Sequence, residues 1–311
     1  MGKLLVTSYV NPDIDGVAGV VAYSEFLEKT GINNTIGVMG ELHDEAKYVL
    51  NRFKFEYPKV ILNSKDFDEV ILIDTSDLNG IEGNIELEKV IEIIDHRTVH
   101  EADKFPNAKI QIELVGSVAT LIGEKFIEKN IEISKKSAIL LLTAIISNTS
   151  NFKGSVTTNR DKKVAEYLKN NAELPDNFWK ELFEAKSDLS GKKLFDRITG
   201  DLATYVIANK KFSIAQIEII GVDKLIGKRI GEILEIINKI KNEEELDFIF
   251  LSAIDLETEK TYLITSNEDT KNLVERILSV NFKGNIAEKD SIIMRKQILP
   301  LLKKELEKFI Y

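Results

Sequence analysis

From Lys3 to Val10 the chain is an almost unbroken apolar run rich in Val and Leu, and it stops at Asn11-Pro12-Asp13-Ile14-Asp15-Gly16. A short run with no polar face reads as a strand buried on both sides, which is typical of a parallel sheet. The pattern recurs: Val70–Ile73 closes on Asp74, and Val90–Ile94 closes on Asp95-His96-Arg97. Between these runs, Gly16–Lys29 has helical spacing in Val17, Val20, Val21, Phe26 and Leu27, with Gly31 as its stop. Thr35–Met39 and Val60–Leu62 read as strands, and Glu41–Phe53 as a helix. Strands alternating with helices predict an α/β fold with a mostly parallel sheet.

Helices are predicted over Ser117–Asn130, Ser134–Ser147, Arg160–Asn170 and Asn177–Lys186, with Ser134 as an N-cap and Phe178, Trp179 and Phe183 as core. Ser187-Asp188-Leu189-Ser190-Gly191 is polar and turn-rich. It divides an N-terminal domain, residues 1–187, from a smaller α/β domain, residues 192–311, with 188–191 as linker. The second domain predicts strands at Phe212–Ile220, Leu246–Ile254, Tyr262–Thr265 and Ser291–Met294, and helices at Lys228–Lys241, Thr270–Leu278 and Leu301–Phe309. Two domains suit 311 residues, since single cores stop growing near ~250–300.

Charge and composition exclude several classes. Lys and Arg number 42 against 51 Asp and Glu, a net charge of -9, which argues against general nucleic-acid binding. The absence of cysteine excludes disulfide scaffolds, thiolate metal sites and cysteine nucleophiles, and fits a reducing cytoplasm. No run reaches the ~18 apolar residues of a membrane helix. The single Lys3 before an interrupted apolar stretch makes a poor signal peptide.

The chemistry-bearing residues sit where α/β sheets place their sites, just past the C-terminal ends of strands. Asp13 and Asp15 alternate and could face two neighbouring metal positions, Asp74 could bridge them, and His96 adds a nitrogen that suits Mn, Co, Fe or Zn. Two divalent ions roughly 3.5–4 Å apart would serve phosphoryl transfer. The plain alternative is that each Asp is an N-cap or turn former. His43 and His100 fall at solvent-facing positions.

These residues resemble the DHH phosphoesterases, and within them the manganese-dependent (family II) inorganic pyrophosphatases and the exopolyphosphatase/prune group. Asn11-Pro12-Asp13-Ile14-Asp15 matches the N-P-D-x-D motif, Asp74 the second motif, and Asp95-His96-Arg97 the D-H-H motif. Val115-Gly116-Ser117-Val118-Ala119-Thr120 matches V-G-[SC]-x-A-T, and Ser147-Asn148-Thr149 matches S-D-T. Ile214-Ala215-Gln216-Ile217 and Arg295-Lys296-Gln297 resemble segments of the DHHA2-type C-terminal domain. The resemblance implies one or two Mn2+ (or Mg2+) ions, with Asp13 on one, Asp15 and His96 on the other, and Asp74 between. It also implies that Arg295 and Lys296 grip phosphate and that the substrate lies in the interdomain cleft.

Five positions depart from the family pattern, one of them Met294, at the first cation of the R-K-K-Q segment. Tyr9 stands where a His ligand is expected, Asn148 where an Asp is, Arg97 at the second His of D-H-H, and Ala203 near an expected phosphate-binding Lys. Arg97 would then set a permanent cation beside the phosphate, as both a catalytic and a substrate-binding group. The leading expectation is a hydrolase of phosphoanhydride bonds, most of all of inorganic pyrophosphate, acting on a small phosphorylated substrate in the cytoplasm, with a homodimer as the expected assembly. The alternatives are a short-chain exopolyphosphatase or small-nucleotide phosphoesterase, and a non-catalytic module that binds a phosphorylated ligand or a partner protein.

Overall fold

The computed structural model describes residues 2–78, 80–81, 83–97, 100–154 and 156–306. They form two compact units, Met1–Ala185 and Lys186–Tyr311. In the first unit the chain runs through β1 (Leu4–Thr7), α1 (Ile14–Lys29), β2 (Thr35–Ile36), β3 (Val38–Met39), α2 (Asp44–Phe53), β4 (Val60–Ile61), β5 (Glu69–Ile73), β6 (Val90–Asp95) and β7 (Lys109–Ile112). It continues through α3 (Val118–Glu128), α4 (Lys135–Asn148), α5 (Asn159–Ala172) and α6 (Phe178–Lys186).

Five of these strands make one wholly parallel sheet in the order β2-β1-β5-β6-β7. From β1 the chain first adds β2 on one side, then returns to add β5 on the other. The order therefore reverses between β1 and β5, and a crevice opens at such a switch point beyond the carboxyl ends of the strands. Leu5, Val6, Val70, Leu72, Ile73, Ile93 and Ile94 are buried, as expected for strands covered on both faces.

Helix α1 lies very close to the sheet. A Cβ built on Gly19 would stand 2.5 Å from Ile73 Cγ2, one residue before Asp74. Glycine is needed there for contact between helix and strand. The predicted Thr35–Met39 strand divides at Gly37, whose built Cβ would meet the Ile61 side chain at 2.8 Å. β3 instead pairs with β4 in a small separate sheet.

The second unit comprises α7 (Lys193–Gly200), β8 (Leu202–Ile207), β9 (Lys210–Ile219), α8 (Val222–Glu243), β10 (Phe248–Asp255), β11 (Lys260–Ile264), α9 (Glu268–Leu278), β12 (Phe282–Lys283), β13 (Ile286–Lys289) and α10 (Arg295–Leu306). Its sheet runs β12-β13-β11-β10-β9-β8, parallel only between β9 and β10. One core gathers Leu194, Ile198, Ile233 and Ile237 of α7 and α8, and another gathers Leu273, Val274, Ile298 and Leu302 of α9 and α10. Leu189, in the turn-rich stretch, is buried within the first of these cores.

Several short elements were not legible in the sequence, namely β7, α7, β8 and the β12–β13 hairpin. Ser291–Met294 is not a strand but the approach to α10. That helix begins at Arg295 and continues through Pro300. A proline inside a helix costs about 3 kcal/mol, yet Ile298, Leu302 and Leu306 are all buried from one face, and their packing outweighs it. The end of the expected Leu301–Phe309 helix lies outside the described residues. Phe178 and Phe183 are core, but Trp179 is only half-buried, with Lys153 Nζ 5.9 Å from its ring centre. No helix among the described residues is long and apolar enough to cross a membrane.

The close seat of α1 yields a stability prediction. Gly19→Ala should destabilise the protein by about 1–3 kcal/mol through overpacking, less the ~1 kcal/mol that alanine gains in a helix. A urea titration should show a lower midpoint, and a higher midpoint would contradict this packing.

Candidate metal centre

The site is assembled at the carboxyl ends of β1, β5 and β6. After β1, Asn11 takes a left-handed backbone (φ 59), a conformation Asn tolerates better than most residues. Its Oδ1 accepts from the Glu41 amide at 2.7 Å, which fixes the Asn-Pro-Asp loop. Asp13 is the N-cap of α1, its Oδ1 accepting from the amides of Asp15 at 2.8 Å and Gly16 at 3.1 Å. The plain reading of this residue is thus realised, whatever else it does. Gly16 lets the first turn approach β1, since its built Cβ would stand 2.6 Å from Ser8 Oγ.

Asp15 is fully buried and points at the N-terminus of α3. Its Oδ1 accepts from Ser117 Oγ at 2.7 Å and the Ala119 amide at 3.1 Å. Its Oδ2 accepts from the Val118 amide at 2.9 Å and Asn148 Nδ2 at 2.5 Å. Unpaired amides and the positive end of a helix dipole favour a carboxylate at this position. Ser117-Val118-Ala119, matched as part of a motif but given no task from sequence, therefore hold Asp15, while the Gly116 amide before them donates to Asp161.

Asp74 follows β5 with a left-handed backbone (φ 61), and its amide donates to the Ile94 carbonyl at 2.9 Å. This conformation is costly for a residue that is not glycine, and such strain concentrates at functional sites. His96 follows β6. Its Nδ1 lies 3.0 Å from the Val115 carbonyl, which can only accept, so Nδ1 carries a hydrogen. Nε2 is thereby aimed at Asp74 Oδ1, 3.4 Å away, and Asp15 Oδ2, 3.5 Å away. A carbonyl that accepts from the far ring nitrogen and fixes an imidazole in this way is the usual companion of a ligating histidine.

Asp15, Asp74 and His96 offer ligand atoms that all lie within 4.8 Å of one another, and among the described residues no other such group of three occurs. The electrostatics show how hard the three press on each other. Burial, then the neighbouring Asp15, raises Asp74 well above the usual carboxylate range. Burial also pushes Asp15 up to about 6, against the pull of His96 and its hydrogen-bond donors. Burial disfavours a charged His96, but the Asp74 hydrogen bond and the two carboxylates outweigh it and push the imidazole up to about 10. Two buried carboxylates and an imidazole converging on one point suit a divalent metal, and the mixed oxygen and nitrogen donors suit Mn2+. The residues present thus fit one ion.

The other expected residues are placed as follows. Asp13 is not in the group of three. Arg97 lies beside the group, with Nη1 2.9 Å from Asp77 Oδ2, Nη2 3.1 Å from the Asp74 carbonyl oxygen and Nε 3.5 Å from Asp95 Oδ2. Asp77 and Asp95 were not singled out as anchors for it; Asp77, past the end of the neighbouring strand, leaves no mark in a linear pattern, and Asp95, two residues before Arg97, was read only as part of the motif. In the second unit, Arg295 is engaged by Asp201, through Oδ1 at 2.6 Å and the main-chain oxygen at 2.8 Å. Lys296 beside it is exposed. His43 and His100 are exposed.

Comparison with known proteins extends over nearly the whole chain. Residues 3–145 match the DHH family N-terminal domain, and residues 180–305 match the DHHA2 domain. A Clostridium acetobutylicum protein designated a probable manganese-dependent inorganic pyrophosphatase is 30% identical over 306 residues, covering 98% of this chain and 98% of that protein. The manganese-dependent inorganic pyrophosphatase of Bacillus subtilis is 30% identical over 306 residues, covering 97% and 98%. Among solved structures, a Methanococcus jannaschii protein provisionally assigned as a family II inorganic pyrophosphatase aligns with a TM-score of 0.70 at 28% identity, covering 98% of this chain and 99% of that one.

His96→Asn should weaken Mn2+ binding by more than the ~10–100-fold typical of losing an outer-shell partner. Calorimetric titration of the purified protein measures this, and unchanged affinity would remove His96 from the site.

Proposed function

The chain belongs to the DHH family, its second unit being a DHHA2 domain, and on that premise we propose that it is a metal-dependent hydrolase whose substrate is inorganic pyrophosphate. The observation that carries the reading is the convergence of Asp15, Asp74 and His96 at the sheet's switch point, with His96 turned by the Val115 carbonyl so that Nε2 faces both carboxylates. Asp15, Asp74 and His96 would hold the ion. When bound, a divalent ion supplies Lewis-acid charge for phosphoryl oxygens and makes a nearby water more acidic.

The chain's own groups then have distinct tasks. Asp15 and its cradle of amides fix one wall of the site, so that little reorganises when charge develops. Arg97 offers five N–H donors on a planar fork, and only some face Asp77, Asp95 and the Asp74 carbonyl, so the rest remain for a phosphate oxygen. Lys296 of the second unit is exposed, and the family resemblance makes it a candidate for binding a terminal phosphate. Arg295 is held by Asp201 through Nη1 and Nη2, so only its remaining N–H groups could do the same.

Purified protein with Mn2+ or Mg2+ should release phosphate from pyrophosphate faster than from tripolyphosphate or nucleotides. Faster release from tripolyphosphate would favour an exopolyphosphatase, and no release from any of them would leave a binding module. Asp74→Ala should lower turnover by at least about 10³-fold, since the ion's charge is worth several kcal/mol and each ~1.4 kcal/mol is tenfold.

A further inference from the structure

The expectation of two ions came from alternating carboxylates and from family resemblance. The side chains around the second position are arranged differently. We propose that this chain holds a single divalent ion, at Asp15, Asp74 and His96, and that the Arg97 guanidinium stands in for a second cation. This rests on the hydrolase reading for its chemistry but not for its geometry.

Three observations carry it. First, among the described residues only three side chains converge on one point, and Asp13, near enough to act on the charge of Asp15 and Asp74, commits its Oδ1 to two amides of α1 and leaves only Oδ2 for an ion. Second, position 9, the partner that Asp13 would need, is a tyrosine. Its hydroxyl oxygen accepts from the Asp13 amide at 3.1 Å, and a neutral phenol in that role is a weak ligand. A Cβ built on Gly80 would come within 2.7 Å of Tyr9 Cβ, so the chain passes closely over the ring's base and leaves it little room to turn away. Third, a cation is already present. The Arg97 guanidinium lies 5.6 Å from the centre of the Tyr9 ring, and Asp77, Asp95 and the Asp74 carbonyl hold it from the other sides.

Tyr9 and Arg97 therefore act together: the ring removes a ligand and supports the arginine by a cation–π contact, while the arginine contributes positive charge beside Asp74. A guanidinium is always charged and needs no loading from solution. Its charge would also repel a second divalent ion beside Asp74. Replacing both residues by histidine restores two imidazoles where the present chain has a phenol and a fixed cation.

The test counts ions. Purified wild-type protein, stripped of metal and titrated with Mn2+ alone, should bind one ion per chain by calorimetry, and its electron paramagnetic resonance should be that of isolated Mn2+. The Tyr9→His/Arg97→His double variant should bind two, with spin coupling between neighbouring ions. Two tight ions in the wild type, or one in a double variant whose circular dichroism matches wild type, would overturn the proposal. Phosphate release is assayed separately: two ions with turnover sinks this inference and leaves the hydrolase, whereas one ion without turnover does the reverse.

Discussion

A carboxylate fully removed from water is the constraint around which the first unit is organised. Burying an unpaired ionised carboxylate is prohibitive, so Asp15 can exist there only if donors surround it. The N-terminus of α3 supplies them, through Ser117 Oγ and the amides of Val118 and Ala119, and Asn148 at the end of α4 adds a fourth. Hydrogen bonds to a charged group each contribute about 1.5–3 kcal/mol. One residue thus ties α1, α3 and α4 together at the point where the sheet opens.

The same arrangement leaves charge unbalanced in a useful direction. Asp74 is held in a left-handed conformation beside Asp15, and the two press on His96. Such crowding is costly unless a cation relieves it, and a site whose two carboxylates are buried, oriented and mutually repelling is preorganised for one. Stability and function are linked here through the backbone: Ile73, whose side chain touches α1 at Gly19, is followed directly by the strained Asp74.

Departures from the family pattern gain physical meaning once their neighbours are known. Asn148 donates to Asp15, a role that an Asp could not fill without a proton or a cation between the two carboxylates. Tyr9 and Arg97 look like two separate losses in sequence, yet they face each other in space. Arg295, expected to meet substrate, is engaged by Asp201 at the start of β8, a strand not foreseen from the sequence.

The sequence alone determined the alternation of strands and helices, and which residues end the strands, because a strand buried on both faces must be apolar throughout and must return to polar residues where the sheet stops. It also marked Asp13, Asp15, Asp74 and His96 as one family's signature. It did not show which of the four converge, since Asp13 and Asp15 are two residues apart and differ only in where their side chains go, one to its own helix and the other to α3. Short edge elements such as β7 and the β12–β13 hairpin were hidden because a few residues carry too little periodicity to read. The anchors of Arg97, the orientation of His96 and the passage of α10 through Pro300 were decided by tertiary structure. Each depends on groups far apart in the chain, and hydrogen bonding, charge and packing act through space.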